Sequence, residues 1–255
     1  MTRSARAASA KASVAEDLAV GTAVIGLSDL LGLPLKTHGE HVVLDASAVA
    51  PAPRGLDPVA ASTIALNALT ADQALDALAL PAGSTLLVTG AAGAVGGYAV
   101  QLARHRGLEV VACAAAADEE LVRELGAQGV VPRGADLPTA VRALVPGGVD
   151  GVVDAAPVGA AAHEALRNRG AFAHLAATPA PAPLRGARVH TVLITADGAR
   201  WRELVGLVEA GVIGTRVAGG WCSSPDGPGL SPAAAAPGRR PGGPAGAARA
   251  CARAG

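Results

Sequence analysis

Short apolar runs and amphipathic helical patterns alternate along most of this chain. The clearest unit spans residues 84–114, STLLVTGAAGAVGGYAVQLARHRGLEVVACA. Its residues 85–88 (TLLV) read as a strand buried on both faces. A glycine-studded turn follows from Gly90 to Gly97. Val95, Ala99, Leu102 and Ala103 then fall on one face of a predicted helix that ends at Gly107, and residues 109–113 predict a second strand. Downstream the pattern predicts a helix over 118–125 with acids in its first turn, a strand at 129–131, a helix over 138–144 and a strand over 149–155. A helix over 160–167, strands at 171–176 and 189–195, and a helix over 198–210 complete it. Ahead of the central unit lie predicted strands at 20–27 and 41–44, a loop at 32–37, and a proline-punctuated loop at 50–57. Predicted helices follow over 58–69 and 71–78, the second with Ala74, Leu75 and Leu78 on one face. Strands alternating with helices predict an α/β fold with a parallel, helix-covered sheet.

The two ends break the pattern. The opening MTRSARAASAKAS is basic and small, with no apolar core to a leader, so residues 1–17 are expected to be unstructured. From residue 219 Pro and Gly recur throughout, with no Val, Ile or Phe and one leucine. Such a segment buries too little apolar surface to offset its ordering entropy. A disordered tail over 219–255 is expected, and a frame-shifted reading of a GC-rich gene would produce that composition. The sequence is 51% hydrophobic but only 2% aromatic, so its core must be built from Ala, Val and Leu. Lys and Arg (21) balance Asp and Glu (21), which gives no electrostatic case for nucleic acid or an acidic membrane. No apolar run approaches the roughly 20 residues that span a bilayer; a cytoplasmic protein is expected. Cys113, Cys222 and Cys251 show neither metal spacing nor a paired framework.

The chemistry centres on the turn Gly90, Ala91, Ala92, Gly93, Ala94, Val95, Gly96. Without a Cβ, its glycines let the backbone pass close to a diphosphate, and the following helix aims unpaired N–H groups at it. Strand, glycine turn, helix and strand together are the first half of a dinucleotide-binding unit; the alternative is a tight strand-to-helix turn that binds nothing. The second strand ends in Ala112, Cys113 and Ala114, with no acid to hold ribose hydroxyls. That removes a repulsion against a 2′-phosphate and favours NADP(H). Arg133, after the third strand, has the fork to hold such a phosphate, and an ordinary surface arginine is the competing reading.

Short-chain dehydrogenases share a similar turn but need a YxxxK. Here the one tyrosine, Tyr98, is followed by Ala-Val-Gln, and the lysines are Lys11 and Lys36. The turn instead reads AxGxxG from Ala91 to Gly96. With Gly21-Thr22-Ala23-Val24-Ile25-Gly26, Gly39-Glu40-His41-Val42-Val43, the proline loop at 51–54 and Leu69-Thr70-Ala71, it resembles the medium-chain dehydrogenase/reductase superfamily, in particular its zinc-free quinone oxidoreductase branch. The resemblance implies a Rossmann-type doubly wound parallel sheet over 71–218, preceded over 18–70 by part of a chaperonin-10-like β domain whose first strands this chain starts too late to include. It also implies that Asn67 and Thr70 reach the nicotinamide, and that Asp154 to Ala156, Ala155 included, and the strand near Leu193-Ile194-Thr195 flank the cofactor. Zinc is not expected: residues 65–70 carry no thiol, and His38 and His41 have no third ligand. The implied reaction is hydride transfer from NADPH to a quinone, enone or similar activated double bond, with homodimerisation through the last strand. An incomplete first domain would instead leave a protein that binds NADPH without turnover. The same turn also resembles enoyl-reductase units of polyketide synthases.

Overall fold

The computed structural model describes residues 3–6, 18–28, 41–175, 179–217, 221–223 and 230–232. Strands β1 (Arg3–Arg6), β2 (Ala23–Gly26) and β3 (Val49–Pro51) form an antiparallel sheet in the order β1-β2-β3. Two expectations change here. The opening segment, predicted unstructured, supplies β1, which pairs along the whole of β2. Residues 41–44, predicted as a strand, are irregular, with Val43 92% exposed, and the strand falls instead inside the predicted proline loop. Apolar alternation makes a strand only where a partner is in register; β2 pairs Val49–Pro51, and β3 is an edge, where proline's missing N–H is tolerated. The predicted loop at 32–37 lies outside the described residues.

A single helical rod follows where the pattern predicted two helices. Asp57 caps α1 (Pro58–Thr63) by accepting from the Val59 and Ala60 N–H groups, with Pro58 in the first turn. A π-helical turn, Ile64–Ala68, leads without a break into α2 (Leu69–Leu78). Ala79 closes the rod in the left-handed region at φ 49°.

The stretch from Thr85 to Glu209 then alternates strands and helices as predicted. Its elements are β4 (Thr85–Thr89), α3 (Ala94–His105), β5 (Glu109–Ala114), α4 (Glu119–Glu124), β6 (Gly129–Pro132), α5 (Leu137–Leu144), β7 (Val149–Asp154), α6 (Ala160–Glu164), β8 (Leu166–His174), β9 (Arg188–Thr191) and α7 (Gly198–Glu209). The six strands are all parallel, in the order β6-β5-β4-β7-β8-β9. That is the doubly wound order, with its reversal between β4 and β7. Helix α6 stops short of the predicted 167 because Leu166 is fully buried and pairs with Val149 across an irregular register. Strand β9 stops at Thr191; beyond it the Gln73 amide holds residue Thr195 by both backbone groups, at 2.7 and 3.2 Å.

Both faces of the sheet are buried, which explains the uninterrupted apolar runs. Leu86, Val88, Val110, Ala112 and Val153 point into the core shared with α2, α3, α4 and α7. Leu87, Val111 and Val152 point into the core under α5 and α6. In the predicted disordered tail, β10 (Trp221–Ser223) pairs antiparallel with β11 (Leu230–Pro232). The rest of that tail, residues 219–220, 224–229 and 233–255, lies outside the described residues.

Candidate functional site

The turn between β4 and α3 opens at the carboxyl end of the sheet, beside the strand-order reversal. Gly90 leaves β4 in the left-handed region, φ +60°, which only glycine enters without strain. The Gly93 N–H returns to the Gly90 carbonyl at 2.8 Å, and the Ala91 N–H crosses to the Cys113 carbonyl at 3.2 Å. Gly96 lets α3 press onto the start of the turn: a Cβ there would stand 2.1 Å from the Gly90 carbonyl oxygen. Gly93 is also close, at 3.0 Å from the same atom. Gly97 is different, its nearest neighbour 3.5 Å away, so its glycine is not demanded by space. No side chain caps α3 at Gly93. The first bond of the helix is Gly97 N–H to the Gly93 carbonyl at 2.9 Å, which leaves Ala94, Val95 and Gly96 as its open N–H groups. Gly93 and Ala94 are exposed. A bare helix start behind a turn that a Cβ would fill is a fit cradle for a diphosphate.

Neighbouring strands build the rim. Asp154, fully buried at the end of β7, accepts from the Thr89 hydroxyl at 2.7 Å and from the Val158 and Gly159 N–H groups at 3.0 and 2.8 Å. The Thr89 hydroxyl in turn accepts from the Ala156 N–H at 3.1 Å. These bonds fold residues 155–159 against the turn, and a Cβ on Gly90 would meet Ala156 at 2.9 Å and the Ala155 carbonyl carbon at 3.5 Å. At the end of β5 the Ala114 carbonyl accepts from the Arg133 N–H at 2.7 Å, which places that exposed arginine beside the strand end. Burial pushes the Cys113 thiol pKa up, and the Arg133 charge pulls the other way. The first acid after β5 is Asp118, the last residue of a 3₁₀ turn at Ala116–Asp118.

Asn67 and Thr70 lie on the rod that packs along α3. Their side chains turn to their own backbone: Asn67 Nδ2 donates to the Thr63 carbonyl at 3.0 Å and the Thr70 hydroxyl to the Leu66 carbonyl at 2.7 Å. The π-turn that carries Asn67 is pinned from both sides. The Thr63 hydroxyl and Tyr98 of α3 share a hydrogen bond at 2.9 Å, and the buried Trp201 indole of α7 donates to the Ala65 carbonyl at 3.0 Å. Burial raises the Tyr98 pKa, against the lowering effect of the Thr63 bond. The structure thus gathers Gly90 to Gly96, Ala155, Ala114 and Arg133 around one strand-end crevice. Leu193, Ile194 and Thr195, predicted as a strand, have no regular structure, and Thr195 is tied to Gln73 of α2.

Sequence reasoning placed Asp154 beside the cofactor without its role in shaping the rim, and missed the arginine that touches the turn. The bonds of Asp154 to the Thr89 hydroxyl and to two backbone N–H groups were not legible, because Thr89 lies 65 residues away. Arg216, from the segment after α7, donates to the Ala92 carbonyl at 3.0 Å, and its 124-residue separation leaves no local pattern. Among the described residues no three His, Cys, Asp or Glu side chains converge as a metal-ligand group.

Comparison with known proteins places this geometry. A family model described as zinc-binding dehydrogenase matches residues 94–208. Polyketide synthase GfsB of Streptomyces halstedii is 43% identical over 111 residues, 43% of this chain and 2% of that protein. An alcohol dehydrogenase superfamily protein from Novosphingobium aromaticivorans superposes with a TM-score of 0.71 at 29% identity, covering 78% of this chain and 66% of that one. A mycobacterial protein crystallised with NADPH gives 0.66 at 27% identity, covering 77% and 66%. The chain therefore spans just under two thirds of these structural neighbours and a small part of the synthase. In fold, strand order and the family-model match over residues 94–208, the chain is similar to alcohol dehydrogenase superfamily proteins.

Proposed function

We propose that the chain binds NADP(H) at the β4–α3 turn and serves hydride transfer to a quinone, enone or similar activated double bond, without zinc. The observation that carries this is the Gly96–Gly90 contact, which draws the uncapped start of α3 onto the end of β4 and leaves an open anion cradle. The N–H groups of Ala94, Val95 and Gly96 bind the diphosphate, and Ala91 and Ala92 form the wall of the turn. The choice of NADP over NAD rests on the end of β5, where Ala114 stands in place of an acid and Arg133 is anchored beside it. Residue Ala155 and its loop, set by Asp154 and Thr89, border the nicotinamide side, and Asn67 and Thr70 would reach it only by exchanging their bonds to their own backbone. When bound, NADPH supplies the hydride. These residues orient the cofactor and exclude water, which is what direct transfer asks of a protein. The mycobacterial neighbour with NADPH supports the cofactor. The superfamily resemblance further supports a cytoplasmic homodimer pairing through β9, the last strand of the sheet.

A second reading is a protein that binds NADPH without turning it over, favoured by an antiparallel sheet with three short strands among the described residues. One experiment separates the two. Purified protein should quench or enhance NADPH fluorescence and then oxidise NADPH when 1,4-benzoquinone is added. Binding without oxidation selects the second reading; no binding of NADPH overturns both.

A further inference from the structure

The segment after α7 crosses the first turns of α3 and is fastened there at two points. Gln101 accepts from the Gly214 N–H at 2.6 Å and donates to the Gly214 carbonyl at 3.3 Å, beside the buried Ile213. Two residues on, Arg216 Nη1 donates to the Ala92 carbonyl inside the glycine turn. The same atom stands 3.7 Å from where a Cβ on Gly97 would be, so the guanidinium lies over the first turn of α3. Arg54, Arg106, Arg123 and Arg200 each face a carboxylate. Among the described residues, Arg216 has no such partner, and its one hydrogen bond goes to a neutral carbonyl. A guanidinium carries five N–H donors, so most of this one's capacity, and all of its charge, is uncommitted. A cation fixed beside open helix-start N–H groups suits a ligand with two adjacent negative charges.

We propose that Arg216 is the diphosphate-binding cation of the cofactor site. This rests on the dinucleotide reading above and deepens it, because it divides the cofactor between two arginines. Arg133 stands at the 2′-phosphate end and Arg216 at the diphosphate end. The diphosphate is common to NADPH and NADH; the 2′-phosphate is not.

The test titrates the full chain with NADPH and with NADH, followed by nicotinamide fluorescence. R216Q keeps a donor for the Ala92 carbonyl but removes the charge, and should weaken both nucleotides by about tenfold, the scale of one charge-assisted hydrogen bond. R216K should retain more affinity than R216Q, and R133A should weaken NADPH alone. R216Q binding both nucleotides as the parent does would show that Arg216 merely tethers the segment, and would overturn the proposal. So would a loss confined to NADPH, or R216K binding no better than R216Q. A parent chain that binds neither nucleotide overturns the cofactor reading itself, a result distinct from any difference among the variants.

Discussion

Two adjacent glycines in α3 do unlike jobs. A methyl group at Gly96 would lie 2.1 Å from the Gly90 oxygen, 2.7 Å from its carbonyl carbon and 2.9 Å from the Ala91 Cα. All three are backbone atoms that cannot swing aside. Gly96→Ala must therefore push α3 away from β4, with an overpacking cost of about 1–3 kcal/mol and at least a tenfold loss of NADPH affinity (~1.4 kcal/mol). Gly97→Ala meets only ordinary contacts, 3.5 Å to the Leu125 side chain and 3.7 Å to the Ala91 oxygen and Arg216. It sits inside a helix, where Ala is favoured over Gly by about 0.5–1 kcal/mol. Thermal melts should move in opposite directions for the two variants, and only the first should lose cofactor. The motif spacing singled out Gly96 in the sequence. Its difference from Gly97 was not legible there, because it depends on how far α3 descends onto Gly90.

Among the elements, the joint between α2, α3 and α7 depends on one buried acid. Asp72, 3% exposed, accepts from Arg106 Nη2 of the α3 end at 2.6 Å and from Arg200 Nε and Nη2 of α7. Asp76 bonds the same two arginines, at 2.7 Å from Arg106 and 3.1 Å from Arg200, and Glu203 adds a further bond to Arg200. The Arg200 pKa is raised, chiefly by its hydrogen bonds to Asp72. Removing Asp72 leaves both arginines with exposed partners, so the penalty is below that of a fully buried pair. Asp72→Ala is expected to cost about 2 kcal/mol, and urea unfolding would measure it. The sequence shows Asp72 only as a polar position in a helix. Its partners come from 34 and 128 residues away, and nothing local marks them. The same limit explains the other misreadings. The succession of β4 to β7 was legible because each carries a short apolar run, whereas β8 opens on polar residues and β9 reads RVHT, so their bounds were less legible. Strand β1 and the β10–β11 pair were not, being defined by partners rather than by their own hydrophobicity. The π-turn at Ile64–Ala68 leaves the apolar period almost unchanged, so two helices were read where one rod exists.

At the scale of the whole molecule, stability and cofactor binding are set in different places, and pH separates them. His163 of α6 is buried against Phe172, ring centroids 5.8 Å apart, and its Nε2 has no partner among the described residues. Burial, and then the nearby Arg185 charge, hold its pKa below the ordinary 6.5, against a raising effect of Glu164. The unfolded chain therefore binds the extra proton first. The His163 contribution to stability is complete above 6.5 and is lost as pH falls through the folded value. Asp150 works lower on the scale. Burial alone would raise its pKa, but the Thr85 N–H and hydroxyl, at 2.7 and 2.9 Å, together with Arg167, bring it below the ordinary 3.8. Its contribution is present above 3.8 and lost as pH falls below that. Unfolding free energy should thus fall in two steps, with His163→Gln removing the upper and Asp150→Asn the lower. Asp150 joins the amino ends of β4, β7 and β8, and the His163 ring packs on Phe172 on the α5–α6 face of the sheet, opposite the face that α3 covers. A ligand that binds only the folded state at 100 times its Kd adds about 2.7 kcal/mol. Saturating NADPH should therefore lift the whole pH–stability curve while leaving both steps where they are. A step that moved with cofactor would place His163 or Asp150 in contact with the site.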